Sequence, residues 1–180
     1  MISGRYSYVP LERWHSRSAE MAFPFHESAT VEVAMAPERL FERLDGHSRL
    51  AAHMEKPSMM TLGGRMAYTF DEGKGRAVGS AIRMSGHFLG ISLGVDEIVT
   101  ERDPPRRKVW ETIGHPRLLV IGAYRMGFEI EPKGDGSQLR VFIDYAYPVS
   151  LGGCVTGGLL AGPYARWCVR RIAHDAVNLG

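Results

Sequence analysis

Three tyrosines, a serine and two glutamates are the side chains best placed for chemistry. Met66, Tyr68 and Phe70 alternate along one short run, and Tyr124, Met126, Phe128 and Ile130 along another. Leu139, Val141, Ile143 and Tyr145 form a third. A period of two sends each set to one face of a strand, so the three tyrosines share a face with apolar neighbours. Ser80 stands in the same relation to Val78, Ile82, Met84 and Phe88. Glu97 and Glu111 also fall in strand-like runs, but their sides are not assignable from the pattern. A phenol on such a face can orient a ligand carbonyl or hydroxyl. A carboxyl there, its acidity shifted by burial, can also move a proton. The rings serve equally well as core with their hydroxyls bonded to backbone. No catalytic residue follows from the pattern.

Other chemistries find less support. The segment GKGRAVG has three glycines without dinucleotide spacing, and it sits in a hairpin rather than between strand and helix. GGCVTGG has no lysine after it. The seven histidines are dispersed, and His47 and His53 miss the i, i+4 spacing that sets two ligands on one helical face. His53 and Glu55 read as solvated surface, and His87 lies off the apolar register of its strand, pointing outward. Cys154 and Cys168, about 21 Å apart on a continuous helix, predict buried thiols rather than a disulfide or a shared metal. No metal or other cofactor is expected.

These residues sit on a readable order of elements. Residues 1–27 lack periodicity and form an N-terminal extension, with a homodimer contact as one possible use. The domain proper is expected over 28–180. SATVEVAM alternates as a strand, and APERLFERLDG follows with Pro37 at a first helical position and Gly46 at the end. A second short helix is expected from Ser48 to about Met54. Strands then recur: Met66–Phe70, Arg76–Phe88, Ile91–Arg102, RKVWETI up to GHP, Tyr124–Ile130 and Leu139–Tyr145. Charged residues on one face and large apolar ones on the other indicate an antiparallel sheet with one wet side.

Near the end, Ala161, Ala165, Cys168, Ile172, Ala176 and Leu179 recur at helical spacing, with Arg166, Arg170 and His174 opposite and Arg171 in reach of Asp175. That helix must lie on the sheet, with a kink expected at Gly162-Pro163. Gly153 and Gly157 would face the sheet and leave space there. The chain has 180 residues, 44% hydrophobic and 23% charged, with net charge +2. This is one globular domain with no nucleic-acid partner indicated. The uncharged run Tyr145–Ala165 holds five glycines and two prolines, which argues against an integral membrane segment. The opening residues lack an apolar core of signal-peptide length, so a reducing cytoplasmic setting is expected.

The layout, with VEVAMAPERLFERL opening the domain, EIVTERDPPRRKVWET at mid-chain and YARWCVRRIAHDAV at the end, resembles the START/Bet v1-like helix-grip superfamily (SRPBCC). Its polyketide cyclase/dehydrase and lipid-transport members are the nearest in style. The resemblance implies an α+β fold: a curved antiparallel sheet of about seven strands around a long C-terminal helix, with two short helices after strand 1. It further implies an apolar tunnel for a lipid, quinone, sterol or aromatic polyketide. The expected wall is Met66, Tyr68, Ile82, Met84, Tyr124, Met126, Phe128, Tyr145, Leu160, Tyr164 and Cys168. The expected function is carriage or sequestration of a small hydrophobic ligand. The alternatives are a cyclase or dehydratase, which needs a buried acid or base, and a partner module using the basic helix back.

Overall fold

The computed structural model describes residues 23–46, 65–88, 91–149 and 151–178. Strand β1 runs Phe25–Val33, so Phe25–Glu27 belong to the sheet rather than to the extension. Its odd-numbered residues are covered and its even-numbered ones exposed, as the alternation requires. Helix α1, Pro37–Asp45, starts on Pro37, whose missing amide would have had no partner in the first turn, and buries Leu40, Phe41 and Leu44. The helix expected at Ser48–Met54 lies outside the described residues.

Six strands follow: β2 Arg65–Phe70, β3 Ala81–Phe88, β4 Ile91–Asp103, β5 Arg107–Arg117, β6 Tyr124–Lys133 and β7 Gly136–Tyr145. With β1 they form one curved antiparallel sheet in the order β1-β7-β6-β5-β4-β3-β2. β1 closes on β7 from Phe25↔Tyr145 to Val33↔Ser137. Helix α2, Leu151–Val177, lies against β1 and β7 and buries Ala161, Ala165, Cys168, Val169, Ile172 and Ala176.

Three local expectations are corrected. β3 begins at Ala81, not Arg76, because Asp71 closes residues 71–80 into a loop. Its carboxylate accepts from the Ser80 hydroxyl (2.5 Å) and the Ala81 amide (2.7 Å). Lys74, Gly75 and Gly79 adopt positive φ in that loop, which no strand tolerates, and Val78 is left 53% exposed. β5 continues through His115 and Pro116 to Arg117, with Gly114 at φ 71° and a register shift between Gly94 and Asp96 absorbing the irregularity. Gly157 faces inward, but a Cβ there would lie 3.0–3.1 Å from Pro148 and Tyr147, so the glycine permits close packing rather than leaving space. The helix itself is uninterrupted, with Pro163 inside it.

Candidate functional site

Residues paired across a ladder share a face, so the register states which side chains line the concave side. One row runs Phe70, Ile82, Glu97, Thr112. The next runs Val99, Trp110, Met126, Ile143, Glu27. Tyr124 is opposite Tyr145, which is opposite Phe25. Glu97, Trp110 and Tyr124 therefore stand on three successive strands and face the helix side together. Glu111 pairs with Ile98, on the other parity.

Glu97 is 3% exposed. It accepts a hydrogen bond from the Tyr124 hydroxyl and another from the Trp110 indole N–H. Burial pushes its carboxyl up to about 7, against the opposing pull of those two donors. The Tyr124 phenol is raised well above its ordinary value by burial and by the carboxyl beside it. The Tyr124 backbone amide is held by the Thr112 hydroxyl at 3.1 Å, which fixes the start of β6. From the helix, Tyr164 bonds Cys168 one turn on; burial raises the phenol and pushes the thiol up to about 12. Tyr68, its hydroxyl oxygen shut off from water, is near enough to influence both Tyr124 and Tyr164. The result is a buried group of one carboxyl, one indole, three phenols and one thiol, bordered by Ile82, Met84 and Met126. At neutral pH Glu97 can donate a hydrogen bond as an acid or accept one as a carboxylate.

The predicted wall divides. Tyr68, Tyr124, Tyr164 and Cys168 belong to this group, and Ile82, Met84 and Met126 border it. Phe128 lies further along, edge-on to Phe41 and Trp110. Tyr145 joins Phe25, which stacks on Tyr147 at 4.3 Å, in an aromatic cluster under the helix. Leu160 was expected inward but is 51% exposed: Ala161 takes the inward position, and one residue back is about 100° around the helix. The Met66 side chain lies outside the described residues. Trp110 was not anticipated, although Lys108, Trp110 and Thr112 alternate through RKVWETI. Glu97 shares its parity with Leu93, Val95 and Val99, and that signal would have placed it inside.

A second buried polar cluster was also missed. Lys108, fully buried, donates to the Asp45 carbonyl at 2.8 Å and to its carboxylate at 2.9 Å. Arg102 takes the other oxygen of Asp45 at 2.9 Å. Hydrogen bonds from both cations hold the Asp45 carboxyl below its ordinary value in spite of burial. This knot ties the end of α1 to β4 and β5. Among the described residues no three His, Cys, Asp or Glu side chains converge as a metal site would require, and no helix is long and apolar enough to cross a membrane.

No family model matches the sequence, and no curated protein matches it either. Solved structures do match. Protein TTHA0849 of Thermus thermophilus superposes with TM-score 0.59 at 13% identity, over 86% of this chain and 98% of that one. Ara h 8.0201 does so with TM-score 0.55 at 11% identity, over 86% and 98%. Major latex-like protein 151 of Panax ginseng gives 0.51 at 11%, over 84% and 95%. At such identities the likeness speaks for the fold alone. The architecture is an α+β sheet gripping a terminal helix. It is the START/Bet v1-like helix-grip fold.

Proposed function

We propose that the protein binds a small hydrophobic ligand between the sheet and α2, with the ligand's polar end directed at Glu97, Tyr124 and Trp110. The observation that carries this reading is Glu97 itself. Burying a carboxyl is expensive, and structural carboxyls offset that with a cation, as Asp45 does with Lys108 and Arg102. Glu97 has only neutral donors among the described residues. A buried acid kept without a cation fits a role toward a bound molecule. Methionines on the same face, Met84 and Met126, suit irregular apolar ligands. The chemistry calls for an apolar skeleton bearing a carbonyl or hydroxyl, as in a lipid, quinone or aromatic polyketide.

Native mass spectrometry of freshly purified protein, with organic extraction, tests this. A copurified apolar molecule is expected, and Met84→Trp, which fills the face beside Glu97, should reduce its occupancy at least tenfold. A wild-type protein that carries nothing and takes up no hydrophobic fluorescent probe would overturn the proposal.

One observation also favours an enzyme of cyclase or dehydratase type: a carboxyl pushed up to about 7 is matched to proton transfer at neutral pH. Under that reading Glu97→Gln binds the ligand but no longer converts it. The basic back of α2 supports a partner module less well, since Arg166 is paired with Glu27 at 2.8 Å and Arg171 with Asp175 at 3.1 Å. The homodimer expected through the N-terminal arm rests mainly on residues 1–22, outside the described ones.

A further inference from the structure

The end of α1 and the 71–80 loop border an open cleft of about 910 Å³. Arg39 and Arg43 enter it from the helix, one turn apart, and Lys74 and Arg76 enter from the loop. Among the described residues Glu42 and Asp45 are the only carboxylates in the lining. Asp45 is hydrogen-bonded by Lys108 and Arg102. Among the described residues Arg39, Lys74 and Arg76 have no ion-pair partner within 4 Å.

The helix dipole offers an ordinary reason for Arg43, in the last turn of α1. It offers none for Lys74 and Arg76, which come from another element. Their loop is also built to hold a shape. Besides the Asp71 bonds, the Gly75 amide donates to the Ser80 hydroxyl at 2.8 Å, the Gly79 amide to the Val99 carbonyl at 2.8 Å, and the Arg76 amide to the Gly73 carbonyl at 2.8 Å. Lys74 at φ 48° adopts a backbone that lysine seldom takes. At Gly46 a Cβ would lie 3.4 Å from an Arg76 guanidinium nitrogen, which places Arg76 against the helix end. Cations that line one cleft favour an anion between them, and guanidinium forks are matched to oxyanions.

We infer that this cleft is a binding site for a phosphoryl-bearing ligand, gripped by Arg39, Lys74 and Arg76. It differs from a nucleotide loop in that side chains, not a run of backbone amides, meet the phosphate. This accounts for GKGR, a segment whose glycines fit no dinucleotide pattern. The volume lies within the range of small-molecule sites, well above the size of a single phosphate ion. The same chemistry is offered by a soluble phosphate ester and by a phospholipid headgroup.

The experiment has two arms, both on the full chain at low ionic strength. Calorimetric titration with inorganic pyrophosphate reads the soluble source. Co-sedimentation with phosphatidylcholine vesicles containing phosphatidic acid reads the headgroup. Binding in at least one arm is expected, weakening as salt rises, and weakened at least tenfold by Arg39→Glu with Arg76→Glu. Arg170→Glu on the exposed back of α2 should change it less than twofold. Should the double reversal not fold, judged by its melting curve, Arg76→Gln is read in its place with a threefold loss. Binding in neither arm, or equal weakening by Arg170→Glu, would overturn the inference. The pyrophosphate arm, and the loss on reversing Arg39 and Arg76, do not depend on what occupies the interior.

Discussion

Glu97 couples the stability of the protein to pH in a direction opposite to that of its other shifted carboxyls. Its folded value is about 7 against an ordinary 4.5, so between those values the folded chain holds a proton that the unfolded chain releases. The contribution of Glu97 is therefore full below about pH 4.5 and falls as pH rises through that window, by roughly 3 kcal/mol once pH exceeds 7. Glu27, Asp45 and Asp144 are lowered, so their contribution is present above their ordinary values and lost only in stronger acid. Urea unfolding at pH 5.5 and 8 separates the two. Wild type should be less stable at pH 8, and Glu97→Gln should remove at least half of the difference; an unchanged difference would mean that Glu97 is ionised in the fold. Lys108 gives the contrasting case. Removing it strands a buried carboxylate with one cation instead of two, so Lys108→Ala is expected to cost about 3 kcal/mol. Arg83→Ala, which breaks an exposed pair with Asp96, should cost under about 1 kcal/mol in the same assay.

Periodic elements were legible where one physical signal ruled. β6 and β7 alternate except at Gly127 and Phe142, and α2 shows a stripe at helical spacing, so their faces follow from the sequence. The 71–80 loop did not, because Arg76–Ser80 keep the alternation of a strand while Asp71, two glycines and Lys74 at positive φ impose a turn. Long-range pairing defeats local pattern in the same way at Asp45, whose partners Arg102 and Lys108 lie far along the chain. Within α2, helix propensity alone predicts that alanine stabilises both at Gly157 and at Pro163. The packing predicts opposite signs. Pro163 is exposed and withholds one helical amide, so Pro163→Ala should stabilise by about 1–3 kcal/mol. Gly157→Ala drives a Cβ to 3.0 Å from the Pro148 ring and 3.1 Å from Tyr147, a close approach that should more than offset the propensity gain and lower the melting temperature. Thermal denaturation of the two variants, side by side, reads the sign directly.

Across the whole molecule, the sheet's register brings together groups that the sequence leaves far apart. Tyr68 and Tyr124 were readable as inward from their neighbours, but that Glu97 meets Tyr124 across twenty-seven positions depends on how β4, β5 and β6 are paired. If the proposed ligand binds here, its affinity should inherit the titration of this group. On the proposed binding reading, Glu97 protonated below about pH 7 would donate to a ligand carbonyl, and above it the carboxylate would repel the same oxygen. Affinity for an apolar carbonyl probe such as 1,4-naphthoquinone should thus be flat in mild acid and fall as pH rises past the Glu97 value, towards tenfold per unit while the proton must be taken up on binding. Preferential binding to the protonated form draws that titration upward in the complex. Glu97→Gln keeps a donor at every pH, so its profile should be level and close to the wild-type value in acid. Calorimetry from pH 5.5 to 8.5 on both proteins decides the matter. A wild-type profile as level as the variant's would place the polar end of the ligand away from Glu97, whereas a slope shared by both proteins would assign the titration to another group.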